Sequence, residues 1–209
     1  MKDTVKVGSV SWTGDNPFIY LKQPGEDGWS VLALYFRIAV SPLGAGHAML
    51  LVEPSQPMGT SASCICLTDN EPMAHYLLMQ FVAKFSLFRP YAISLAQAQM
   101  LTGCCFDSSG TTQTTHVQSV RHPESSQNMR MTWSALQAPF MVDVPDEKTQ
   151  TGIHEMFTVF QPAGSAQVEW CDRILPGTTV ERDFFAGRAQ SAALAFSETW
   201  VQTAVGRQP

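Results

Sequence analysis

Three side chains of types that do acid–base or metal chemistry stand out in this chain: His116, His154 and Glu169. His116 and His122 are six residues apart, so on one regular strand they face the same way. His154 opens a later pair of strand-like segments, and Glu169 shares a face of the second of these with Cys171. If the two strand pairs lie side by side, His116, His154 and Glu169 converge. Two imidazoles and a carboxylate suit zinc or another first-row divalent ion. The same set equally supplies a general base oriented by a carboxylate. No HExxH-type spacing accompanies them, so neither a metal identity nor a cofactor follows. The opposing reading is of histidines on the surface or satisfied by local hydrogen bonds.

A second group points to binding. Arg130 and Thr132 alternate with Met131 and Trp133, which gives that segment one polar and one greasy face. Trp170 sits in the middle of a later strand-like segment. Trp133, Arg130 and Trp170 are therefore the expected lining of a site for a small apolar or aromatic ligand, because apolar pockets carry a few placed polar groups. The competing reading is plain core packing of the two tryptophans.

Other chemistry is poorly signalled. Cys64-Ile65-Cys66 puts two thiols on one strand face but lacks two further ligands for a metal. Gly44-Ala45-Gly46-His47 has no third glycine and no following helix, so it reads as a turn and not a phosphate cradle. No Gly-x-Ser-x-Gly marks a nucleophilic serine.

These residues need elements to hold them. The clearest element is residues 70–88. At about 100° per residue, Ala74, Leu77, Leu78, Phe81, Val82 and Phe85 fall within an arc of roughly 140°. Asp69 or Asn70 is placed to cap this central helix, or Thr68 with Glu71 as a capping box. Pro72 suits its first turn and Pro90 its end. Five strands are expected before it, at 4–12, 18–22, 29–40, 47–52 and 61–67. The third is apolar at nearly every position, as a strand buried on both faces would be.

After Pro90 two hairpins are expected. One pairs 116–122 with 129–136; the other pairs 155–160 with 166–173 and turns at Pro162-Ala163-Gly164-Ser165. A strand at 139–144 lies between them. Phe185, Ala189, Ala192, Phe196 and Trp200 then share one face of a C-terminal helix at about 179–204, with a strand at 194–201 as the variant. The sum is a single α+β domain over 1–209: a predominantly antiparallel curled sheet or β-barrel of about ten strands, with a central and a C-terminal helix.

Composition bounds the function classes. The chain has 209 residues, 44% hydrophobic and 15% charged, with a net charge of −5. No basic stripe marks a nucleic-acid partner. No apolar run is long enough to make a membrane-spanning helix. The N-terminus lacks a signal-like run and the five cysteines are odd in number, so reduced thiols and a cytoplasmic setting are expected. These features leave three functional readings. The first is a small-molecule-binding module with a pocket above about 300 Å³. The second is an enzyme using the His/Glu set. The third is a homodimer, suggested by the low charge fraction.

Overall fold

A computed structural model describes residues 8–54, 62–185 and 187–203. In chain order the strands are β1 Gly8–Asp15, β2 Phe18–Leu21, β3 Val31–Val40, β4 Gly46–Glu53 and β5 Ser63–Thr68. Two helices come next, α1 Glu71–Gln80 and α2 Ala92–Ala96. After them stand β6 Gln99–Leu101, β7 Cys105–Gly110, β8 Thr115–Arg121, β9 Asn128–Leu136 and β10 Phe140–Val144. The described residues end with β11 Glu155–Trp170, β12 Arg173–Ile174, β13 Glu181–Phe184, β14 Gly187–Gln190 and β15 Ala192–Thr203.

Among the described residues, thirteen strands form one sheet. Its main path runs β6-β5-β4-β3-β1-β15-β11-β9-β8-β7, while β10 and β12 attach to β11 and β2 bridges β15 and β3. The sheet is mixed: β5 and β6 run parallel, and the other described pairs antiparallel. No described pairing joins the two ends of the path, β6 and β7, so this is not the expected barrel. Nor is it α+β. The protein is mostly β, with two short helices.

The fold doubles back through β11. The first half of that strand, Glu155–Pro162, pairs with β15, and the second half, Ala163–Trp170, pairs with β9. This corrects the expected hairpin at 162–165: the chain bends there and does not turn back. Pro162 has no N–H to give a ladder, but its carbonyl accepts from Gln137 N at 2.8 Å, which serves the bend. Strands β7, β8 and β9 thereby lie over the rest of the sheet as a second layer.

Two cores result, one on each face of the first layer. Leu32, Leu34, Phe36 and Ile38 of β3 face α1, whereas Val31, Ala33 and Tyr35 face the second layer. The uninterrupted apolar run of β3 is thus a strand buried on both faces, as its composition implies. Trp133 Nε1 on β9 donates to the Phe18 carbonyl on β2 at 3.0 Å and ties the layers together.

The central helix is shorter than its periodicity suggests. Asn70 caps it, its Oδ1 accepting from Met73 N at 3.2 Å. The α-helix ends at Gln80, and 3₁₀ turns at Val82–Lys84 and Arg89–Tyr91 replace the rest of the expected 70–88 rod. Leu77, Leu78, Phe81 and Val82 are still buried. The break lets Phe85 stack on Trp200 at 5.9 Å and Phe88 meet Tyr20 at 5.8 Å, directions that a straight helix would not provide.

The expected C-terminal helix at 179–204 is absent. Its described residues form the β13–β14 ribbon and β15, and 204 lies outside the described residues, as do residues 4–7 of the expected first strand. The run Ala192–Ala195 is buried throughout, with Ala192 and Leu194 in one core and Ala193 and Ala195 in the other. A short apolar run of small residues fits helix or strand, and pairing with β2 on one side and β11 on the other decides for strand. Among the described residues no helix is long and apolar enough to cross a membrane.

Candidate functional site

The expected His/Glu cluster does not assemble. His154 is buried on the helix side, bonded to Thr151 Oγ1 at 3.0 Å and packed on Phe81 and Trp200. His116 lies in the second layer against Trp133. Glu169 points outward from that layer, where Gln167 Nε2 donates to it at 3.0 Å. Among the described residues no group of three or more His, Cys, Asp or Glu side chains is placed to hold a metal ion.

The binding trio is also divided. Trp133 is fully buried and Trp170 packs at the margin of the same core. Arg130 is on the opposite face, directly across from Glu169 in the β9–β11 ladder. The polar and greasy faces of β9 are as the alternation implies, but a sheet face cannot gather residues from both of its sides.

The structure instead gathers chemistry where the two layers part. Asp15, Arg37 and His47 are successive cross-strand neighbours on β1, β3 and β4. Arg37 Nε donates to Asp15 Oδ2 at 2.8 Å. His47 Nδ1 lies 2.6 Å from Asp69 Oδ2, and Asp69 Oδ1 accepts from the amide of His47 itself. Both carboxylate oxygens therefore hold one histidine, which orients its ring.

Asp69 reaches His47 because of the turn before β4. Asn70 Nδ2 donates to the carbonyls of Leu43 and Ala45 and binds that turn to the helix start. A Cβ on Gly46 would come within 2.8 Å of Asp69 Oδ1, so glycine allows the approach. Gly44-Ala45-Gly46-His47 leads from the turn at 42–43 into β4, with a strand and no helix after it as its sequence implies, and it positions the His47 side chain.

The second layer supplies the other wall. Phe106 on β7 stacks on His47 at 5.1 Å, and Tyr35 on β3 completes a ring trio at 6.2–6.3 Å. On β8, Gln118 Nε2 donates to Ser108 Oγ at 3.1 Å and to His116 Nε2 at 2.8 Å. Accepting at Nε2 leaves the proton of His116 on Nδ1. Burial lowers the pKa of His116, against the opposing charge of Asp15, so its ring is neutral at pH 7. Burial likewise raises the Tyr35 phenol well above its ordinary range and keeps it protonated.

Between these walls is a cleft of about 360 Å³. Gln118 is buried and lines it, yet its Oε1 has no hydrogen-bond partner. Of the cleft residues, His116 alone belonged to the sequence-derived set. The missed signal was Arg37, a single charge inside an otherwise apolar ten-residue strand.

No protein-family model matches this chain, and neither the curated proteins nor the solved structures include a match to it.

Proposed function

We propose that the protein binds a small aromatic molecule in the cleft between its two sheet layers. The observation that carries this reading is the unpaired Gln118 carbonyl oxygen, buried beside the Tyr35–His47–Phe106 trio. A buried acceptor without a donor costs about 1–3 kcal/mol. A ligand N–H or O–H removes that cost when the Gln118 side chain turns its oxygen into the cleft, and a flat ring finds stacking partners in the wall. The cleft volume lies within the roughly 300–1,000 Å³ of ordinary ligand pockets. The preferred ligand is a planar heteroaromatic ring that carries a hydrogen-bond donor.

The test is a calorimetric titration with indole and with 2-aminopyridine against the wild type, Gln118→Leu and Phe106→Ala. Saturable binding that weakens in both variants is expected. Absence of saturable binding to the wild type, or equal affinity in all three proteins, removes the reading.

A second reading rests on the 2.6 Å contact of His47 with Asp69. A carboxylate that fixes one ring nitrogen leaves the other as a general base. Hydrolysis of an activated ester such as 4-nitrophenyl acetate, abolished in His47→Ala, is what an acid–base site predicts. A rate unaltered by that substitution argues against catalysis here.

A further inference from the structure

A separate cavity opens on the helix side of the first layer. It measures about 130 Å³ and is walled by aromatic rings from several places in the chain. Phe18 and Tyr20 come from β2, Phe85 and Phe88 from the turns after α1, Phe160 from β11 and Phe184 from the ribbon. The rings touch: Phe160 and Phe184 are 4.8 Å apart, as are Phe18 and Tyr20. An apolar cavity of roughly 150 Å³ holds one benzene ring. This one accepts a single ring or a short alkyl segment, and nothing drug-sized.

Its polar groups are unevenly satisfied. Glu198 is buried at the floor, where Trp200 Nε1 donates to Oε1 at 2.7 Å and Asn16 Nδ2 donates at 3.3 Å. Asn16 is 5% exposed and lines the same cavity, yet its Oδ1 has no partner. Arg182, on β13, lays its guanidinium over Phe184, Tyr20 and Phe18 at 4.8, 5.3 and 5.7 Å. Its buried Nε has no acceptor, and no carboxylate among the described residues forms an ion pair with it. A guanidinium in such surroundings normally meets an anion, because desolvated charge is costly unless paired. The cavity therefore has a guanidinium without an ion pair among the described residues, a buried Glu198 carboxyl held by Trp200 and Asn16, an acceptor lacking a donor, and aromatic walls between them.

We propose that this cavity is a second ligand site, which takes a small aromatic carboxylate bearing a hydroxyl or amine at its far end. The carboxylate meets the Arg182 fork, for which bidentate binding is natural. The ring packs against Phe18, Phe160 and Phe184, and the far donor meets Asn16 Oδ1 when that side chain turns its oxygen into the cavity. The two-stranded β13–β14 ribbon stands outside the main sheet and carries Arg182, so the anion-binding group sits on a separate small unit at the cavity wall.

The test uses the full chain and 4-hydroxybenzoate as probe, with binding read by calorimetry and by shifts of the Trp200 indole proton in NMR. Expected are saturable binding to the wild type and a loss of about tenfold or more in Arg182→Gln. Arg182→Lys, which keeps the charge without the fork, binds with intermediate affinity. The neutral analogue 4-hydroxybenzyl alcohol binds at least about tenfold more weakly than the acid. Gln118→Leu, in the other cleft, leaves the affinity unchanged, which separates this site from the interlayer cleft. The proposal is overturned by absence of saturable binding, by equal affinity for the alcohol, or by full affinity in Arg182→Gln with an unaltered melting curve.

Discussion

The carboxylate of Asp15 accepts a hydrogen bond from the Ser197 amide at 3.1 Å, between residues 182 positions apart. Ser197 has a φ of 53°, in the left-handed region, and marks a bulge where the β11–β15 register shifts. A bulge inserts one residue and re-aims the side chains beyond it. Before it, the odd-numbered Ala193 and Ala195 face the helix side; after it, the even-numbered Glu198 and Trp200 do. The other oxygen of Asp15 holds Arg37 in the interlayer cleft. One side chain thus supports both sites.

Asp15→Ala is expected to destabilise the protein by about 1–3 kcal/mol, since it leaves a charged partner and a bulge amide unserved. Urea unfolding measures this. Asp15→Asn, which keeps one acceptor, lies between the variant and the wild type.

Glu198 makes stability depend on pH. Burial raises its pKa from the usual 4.5 to about 7, assisted by the charge of Asp15 and opposed by the bonds from Trp200 and Asn16. Arg182, Lys148 and Tyr20 line the same cavity. Below 4.5 the carboxyl is protonated in both folded and unfolded chains and carries no penalty. Between 4.5 and 7 the unfolded chain ionises first, so stability falls as pH rises, by about 3 kcal/mol in all. Burial lowers the pKa of His116 and of His154, which costs stability in the opposite direction, as pH falls. The difference between wild type and Glu198→Gln isolates the carboxyl. The variant gains on the wild type from about pH 5 to about pH 8 in denaturant titrations.

Trp133→Phe removes the donor to the Phe18 carbonyl and part of the interlayer packing. The expected cost is about 2–4 kcal/mol, from an unsatisfied carbonyl plus lost volume. A melting temperature unchanged within error contradicts the view that this indole ties the layers.

Asn70→Ala loses the cap of α1 and both donors to the Leu43–Ala45 turn. A cost of about 1–3 kcal/mol is expected, with a weakened His47–Asp69 contact. Exchange protection of the His47 amide, which donates to Asp69, reports the second effect directly.

Two of the five cysteines, Cys105 and Cys171, are exposed, whereas Cys64, Cys66 and Cys104 are buried. Burial pushes the Cys64 thiol up to about 12 and also raises Cys66 and Cys104. Titration of the native protein with a thiol-reactive dye is expected to show two fast equivalents, and three more only on unfolding.

The amino-acid sequence by itself determined the local features. Alternation and apolar runs bounded by turn residues placed the strands that precede α1 and the β8–β9 pair, and alternation separated the polar from the greasy face of β9. The greasy arc of 70–88 showed what would be buried, and the polar residues 68–71 showed where the helix begins, with Asn70 selected as the cap only in the structure. Partner choice was decided only by tertiary structure. Periodicity reports how many faces of a segment meet apolar surroundings, not which segment lies across from it. The alanine-rich run of β15 therefore read as helix until β2 and β11 claimed its backbone bonds, and the Pro-Gly stretch of β11 read as a turn although it is a bend between layers. His47 and Asp69, or Asp15 and Ser197, meet through strand register and a bulge, and neither leaves a pattern in the residues near them.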